Sequence, residues 1–216
     1  MIVRITASKP HEAVRVGSMR LQIPTRPLRI LDFDIENRPL SYLGSDFTTA
    51  EVTAIAWAWT DKPDDVKVYL LGQTSLPVIL RKFLKAYEQA DMVTGHFIRG
   101  HDLPMLNGVL VELGMPVLAN KRVMDTKVDF VKTKGISLSQ ESIGAMFRLD
   151  KAKVQMNQVK WRSANRLTKD GLALVRERVV GDVQQHMEMV KELNAKGYLC
   201  PPMYWGGGSE LPAYVP

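Results

Sequence analysis

Hydrophobic and polar residues alternate over the stretch LRILDFDIEN that begins at Leu28. Leu31, Phe33 and Ile35 fall on one side, and Asp32, Asp34 and Glu36 on the other. Successive side chains of a strand point to opposite faces, so this stretch is predicted to be a strand with one apolar and one acidic face. Two further apolar runs, Glu51–Thr60 and Val66–Leu71, are divided by the turn-forming segment DKPDD and read as a strand pair. The period then changes to that of a helix. Val78, Ile79, Phe83, Leu84 and Tyr87 recur at helical spacing up to Gln89, behind Ser75 as a candidate N-cap.

Met92–Thr94 is a short apolar strand running into the loop GHFIRGH. A helix follows from Asp102 and Pro104, carrying Leu103, Leu106, Leu110 and Leu113 and closed by Gly114. Arg122–Thr126 reads as a strand and Ser139–Leu149 as a helix opened by its serine. Residues 150–168 are polar and basic without a clear period. A long amphipathic helix is predicted from Lys169 to Asn194, with Leu172, Val175, Val179, Val183, Met187 and Val190 on one stripe. Residues 1–27 read as an irregular or hairpin-like lead-in. The Pro- and Gly-rich tail from Cys200 is expected to wrap the surface or stay mobile. Strands first, then strands alternating with helices, predict an α/β domain on a mixed sheet.

The 216 residues suffice for one domain with a sizeable core, and 45% hydrophobic with 24% charged residues exclude disordered and fibrous classes. The lone Cys200 cannot make an internal disulfide or a thiolate zinc site. With no apolar run near the roughly 20 residues of a membrane span, the expectation is a cytoplasmic protein without membrane attachment. The net charge of +6 is regional: residues 116–180 hold 14 Lys+Arg against 6 Asp+Glu, while the rest holds 15 against 17. A basic region on a near-neutral protein suits a polyanion, or simply a solvated surface.

Asp34 and Glu36 project from one strand face between apolar neighbours, so folding crowds two like charges that a cation can relieve. Hard divalent ions take carboxylate oxygens, and a pair of them serves phosphoryl transfer. Two more acids join the argument. Asp102 opens a helix after GHFIRGH, either as a cap or as a third ligand. Asp182 lies within the long helix in GDVQQHMEM, either as a surface residue or as a fourth ligand. His186, four residues on, shares the face of Asp182.

FDIEN, GHFIRGHDLPML and GDVQQHMEMVKEL resemble, in order and spacing, the three exonuclease motifs of the DEDD (DnaQ-like) 3′–5′ exonuclease superfamily. MDTKVDF and SLSQESIGAMFRL are similar to segments lying between the second and third motifs, and the resemblance spans about Leu28 to Leu193. It implies a ribonuclease H-like fold with a mixed five-stranded sheet, its first three strands antiparallel, flanked by helices. It divides the chain into a lead-in over 1–27, an exonuclease domain over 28–197 and a tail over 198–216. The composition resembles that of phage-encoded members, and a phage-encoded chain would be expected in a host cytoplasm.

Carried over, the resemblance implies Asp34, Glu36, Asp102 and Asp182 as ligands of two divalent cations, Mg²⁺ or Mn²⁺. Asp34 would bridge both ions, Glu36 and Asp182 would complete the site of the attacking water, and Asp102 would help hold the second ion. The implied reaction is hydrolysis of DNA, or RNA, from the 3′ end to nucleoside 5′-monophosphates. The implied partners are single-stranded DNA or 3′ ends and a replication or repair protein. Family members place a Tyr four residues before the last Asp or a His five before it, where this chain has Arg178 and Glu177. His186 is then the candidate to reach the attacking water. Arg178 either contacts phosphate or pairs with a carboxylate. Arg99, Lys132, Lys134, Lys153, Lys160, Arg162 and Arg178 form the expected nucleic-acid track, with Trp161 either a stacking platform or core. Two other readings stand beside this one: a non-catalytic nucleic-acid binding module of the same fold, and a ribonuclease H-type endonuclease.

Overall fold

The computed structural model describes residues 15–16, 19–20, 26–40, 47–150 and 154–206. Two short strands, β1 (Arg15–Val16) and β2 (Met19–Arg20), pair antiparallel in the lead-in. The main sheet is built from β3 (Ile30–Pro39), β4 (Ala50–Trp59), β5 (Lys67–Leu70), β6 (Met92–Gly95), β7 (Lys121–Asp125) and β8 (Met203–Trp205). Five helices accompany them: α1 (Leu76–Gln89), α2 (Asp102–Glu112), α3 (Gln140–Phe147), α4 (Gln158–Asn165) and α5 (Lys169–Ala195). The strand order is β5-β4-β3-β6-β7-β8. The pairs β3–β4 and β4–β5 are antiparallel, while β3–β6 and β6–β7 are parallel.

The expected α/β class and antiparallel opening are therefore present, on six strands rather than five. The sixth is β8, which pairs antiparallel with β7. Its source is the tail, where Pro201 and Pro202 masked a three-residue strand, Met203-Tyr204-Trp205, too short to show a period. Cys200 leads into it, its N–H donating to the Asp129 carbonyl at 2.7 Å.

The alternation along β3 is what sorts the two faces of the sheet. Leu31, Phe33 and Ile35 enter one core with Ile55 and Trp57 of β4, closed by Ile79, Leu80 and Phe83 of α1 and Leu103, Leu106 and Leu110 of α2. Phe83 stands at the centre of its aromatic group, with ring centroids 5.1 Å from Phe33, 5.8 Å from Trp57 and 5.9 Å from Tyr87. Each such pair adds about 0.5–1.5 kcal/mol beyond area burial. On the opposite face Ala54, Ala56 and Ala58 of β4 meet Leu172, Val175, Val179 and Val183 of α5. Methyl side chains at three consecutive inward positions let the long helix lie close to the sheet, and the acidic face of β3 lies beside them: Asp34 is opposite Ala56 and Glu36 opposite Ala54.

One irregularity interrupts the register. Glu36 pairs with Ala54 but Asn37 with Val52, leaving Thr53 as an extra residue whose hydroxyl donates to the Glu36 carbonyl at 3.1 Å. This bulge on β4 increases the local twist of the pair where the acidic residues of β3 end.

The polar segment before α5 contains a helix that hydrophobic periodicity does not signal. In α4 only Ala164 is buried, and its start is capped by Asn157, whose carbonyl accepts from the Lys160 N–H. Docking on α5 sustains it, through Gly171 in the first turn of that helix. A Cβ at Gly171 would come within 2.3 Å of the Ser163 carbonyl oxygen and 2.6 Å of the Ala164 nitrogen. Gly171→Ala is accordingly expected to force the two helices apart and cost about 1–3 kcal/mol in denaturant unfolding. Unchanged stability would mean that α4 does not hold this contact in solution.

Candidate metal centre

The candidate centre arises from a match between two periods. Two residues along a strand advance about 6.6–6.8 Å, and four residues along a helix advance about 6 Å. Where α5 crosses β3, Glu36, Asp34 and Asp32 therefore meet Arg178, Asp182 and His186 in turn, like the rungs of a ladder.

The two outer rungs are complementary. Arg178 Nε donates to Glu36 Oε1 at 2.5 Å, and Nη2 of the same guanidinium lies 3.7 Å from Asp182 Oδ2. At the other end His186 Nδ1 and Asp32 Oδ2 are 2.5 Å apart. The middle rung sets acid against acid. Asp34, Glu36 and Asp182 each present a carboxylate oxygen, and these oxygens all lie within 4.8 Å of one another. Two full charges at that distance repel by about 3 kcal/mol at an effective dielectric near 20. Asp182 is only 2% exposed, so water does little to relieve it. Gln140, the first residue of α3, pins this turn of α5 by donating its amide to the Asp182 carbonyl at 2.9 Å. Three convergent carboxylates are a donor set for a hard cation.

Asp102 lies outside that trio and is 3% exposed. His101 occupies the N-cap position of α2, which frees the Asp102 carboxylate for β3: Oδ1 accepts the Ile35 N–H at 3.2 Å. That N–H is available because β6 pairs with β3 only as far as Asp32. The contact falls between Asp34 and Glu36 in sequence and turns Asp102 toward the same end of the strand. Burial pushes the Asp102 carboxyl up from its ordinary range, and its bond to His101 Nδ1, at 3.3 Å, opposes that and raises the imidazole.

His186 is placed differently from the sequence expectation. It is 2% exposed, and both ring nitrogens are committed, Nδ1 to Asp32 and Nε2 to Thr126 Oγ1 at 2.9 Å. Thr126 Oγ1 in turn lies 2.9 Å from His96 Nδ1. His186 is part of a polar chain that starts one rung along from Asp34 and Asp182, Asp32–His186–Thr126–His96. Burial raises the Asp32 carboxyl, and His186 draws it back. Asp32 stands on the acidic face of β3 in the sequence, but the partner that explains it is 154 residues away.

The basic residues divide into spent and presented ones. Arg178 pairs with Glu36 and Asp182, so of the two sequence readings it follows the carboxylate one. Arg99, expected on the nucleic-acid track, forms an ion pair with the buried Asp129, and its side chain is 13% exposed. Lys160 donates to the Gln155 carbonyl at 2.9 Å. Lys132, Lys134 and Arg162 are exposed, and Lys153 lies outside the described residues. Trp161 packs at the edge of the α5 core with the Arg178 guanidinium 5.3 Å from its ring centre. It also lines an open groove of about 540 Å³, with Arg38, Gln158, Arg162, Asn165 and Arg166.

Asp125 is the organising residue that periodicity could not find. Its carboxylate accepts the backbone N–H groups of Phe97, Arg99, Lys127 and Val128 at 2.9–3.2 Å, and its own N–H donates to Asp129. This holds the loop before α2, including Phe97 at a φ of 65°. An aspartate as the last residue of a strand, just before a turn, is the available signal.

No family model and no curated protein matches this sequence. Among solved structures the chain is similar to the family B DNA polymerase from the hyperthermophilic archaeon Pyrobaculum calidifontis, with 20% identity and a TM-score of 0.60. The match covers 81% of this chain and 26% of that one, so the chain spans about a quarter of the polymerase's length. At this identity the likeness speaks to the fold: a mixed α/β domain with a six-stranded open sheet flanked by helices, compatible with the ribonuclease H-like fold.

Proposed function

We propose that the chain is a metal-dependent 3′–5′ exonuclease that hydrolyses DNA or RNA to nucleoside 5′-monophosphates. The observation that carries this reading is the acid-on-acid rung, where folding gathers Asp34, Glu36 and Asp182 with their donor oxygens within 4.8 Å. Arg178 offsets part of the repulsion among them, and a divalent cation would offset the rest. The likeness in fold to a DNA polymerase and the order of the acidic motifs favour nucleic acid as the substrate.

The donors are carboxylate oxygens, which suit Mg²⁺ or Mn²⁺ better than thiolate-seeking metals. Asp34, Glu36 and Asp182 would hold one ion, and Asp34 with Asp102 a second. Bound there, the ions would lower the pKa of a water and offset charge on the scissile phosphate and the leaving 3′-oxygen. The chain's own residues do the positioning. Asp125 fixes the loop that carries Asp102, Gln140 fixes the turn that carries Asp182, and the Asp32–His186 bond seats α5 on β3. Exposed Lys132, Lys134 and Arg162 offer charge to a phosphate backbone, and Trp161 offers a ring edge beside the groove.

The test is digestion of 3′-labelled and 5′-labelled DNA and RNA oligonucleotides with Mg²⁺, Mn²⁺ or EDTA, alongside a closed DNA circle. The expected result is stepwise mononucleotide release from the 3′ end, abolished by EDTA, with the circle intact. A cut circle would assign an endonuclease instead. Metal-dependent binding of the oligonucleotides with no cleavage would leave a binding module. That outcome draws its own support from Arg178, which stands where the family carries its water-orienting tyrosine.

A further inference from the structure

The guanidinium of Arg178 sits where a cation belongs. It touches two of the three carboxylates of the trio, Glu36 at 2.5 Å and Asp182 at 3.7 Å, and its side chain is 15% exposed. It thereby offsets part of the repulsion that the middle rung creates. Two further contacts are independent of those acids: Nη1 donates to the Val154 carbonyl at 2.9 Å, and Cζ lies 5.3 Å from the Trp161 ring centre. Beyond Trp161 the groove of about 540 Å³ is open. The arginine thus has a second set of partners, a carbonyl and an aromatic face, that persists if Glu36 and Asp182 are taken by something else.

We propose that Arg178 competes with a divalent cation for Glu36 and Asp182, so that metal entry releases the guanidinium from these acids while its contacts with Val154 and Trp161 hold it beside the site. This rests on the reading of the trio as a metal site. A guanidinium and a divalent cation held on the same two carboxylates repel each other at close range. Removing the guanidinium takes away both a competitor for the ligands and a repelling charge, and both effects tighten metal binding. A merely structural arginine would behave in the opposite way, because its loss would loosen the carboxylates and weaken the site.

The experiment is titration of the full chain with Mn²⁺, followed by the electron paramagnetic resonance signal of free Mn²⁺, for the native protein, Arg178→Gln and Arg178→Lys. Asp34→Asn serves as the control that the titrated site is the trio. The expected result is Mn²⁺ binding about tenfold tighter in Arg178→Gln than in the native protein, the size of one charge-assisted contact. Arg178→Lys should fall between them, since lysine keeps the charge without the planar fork. The rise in Tm on adding Mn²⁺ should be larger for Arg178→Gln as well. Equal or weaker binding by Arg178→Gln overturns the competition, and if that variant does not fold, equal or weaker binding by Arg178→Lys does the same. Native protein and variants all failing to bind Mn²⁺ would instead overturn the metal reading of the trio, and this proposal with it.

Discussion

Asp34→Ala and Asp182→Asn should each reduce mononucleotide release from a labelled 3′ end by about a thousandfold, while leaving the folded protein as stable as before or more so. The two halves of this expectation come from the same rung. Asp34 and Asp182 belong to one cluster of donors, so removing either leaves a cation with too few hard ligands, and the electrostatic stabilisation lost is worth orders of magnitude in rate. Without metal the same substitution relieves carboxylate repulsion at a site where Asp182 is 2% exposed. Loss of activity with an unchanged or raised Tm, read by scanning fluorimetry in EDTA, separates a working carboxylate from a structural one. Activity that survives both substitutions would move the centre away from this rung.

The second large effect is on folding. His186→Ala should cost about 3–5 kcal/mol in denaturant unfolding, because it strands the fully buried Asp32 without its partner. A double-mutant cycle with Asp32→Asn should return a coupling above about 1 kcal/mol, as expected for residues in direct contact. A coupling near zero would release the imidazole from this role and make it a candidate base again.

The acidic face of β3 was legible in the sequence because strict alternation leaves a strand little choice of faces. Asp182 and His186 were placed on one helix face for the same reason. What periodicity could not supply is which helix turn meets which strand residue. His186 was read beside Asp182, its neighbour on the helix, but in the fold it belongs to Asp32, one rung further along. Arg99 looked like a loop cation open to phosphate, because the Asp129 that captures it lies 30 residues downstream. Arg178 shows the reverse case, since its carboxylate reading needed only the helix spacing to Asp182, and the structure adds Glu36. No local pattern encodes α4, because its support comes from a neighbour: a polar surface with one buried alanine gains its stability from contact at Gly171. Strand β8, at three residues, is too short to show a period.

The ladder joins residues far apart in the chain: Glu36 and Arg178 are separated by 142 positions, and Asp32 and His186 by 154. Closing so long a loop is slow and entropically unfavourable, so these contacts are expected to form late, after the local strand pairs and helices. On that order Asp34 and Glu36 would pair with β4 before Asp182 arrives, and a cation would then find only a partial set of ligands. Any hydrolytic power of the centre stays latent until α5 has been made and laid across the sheet.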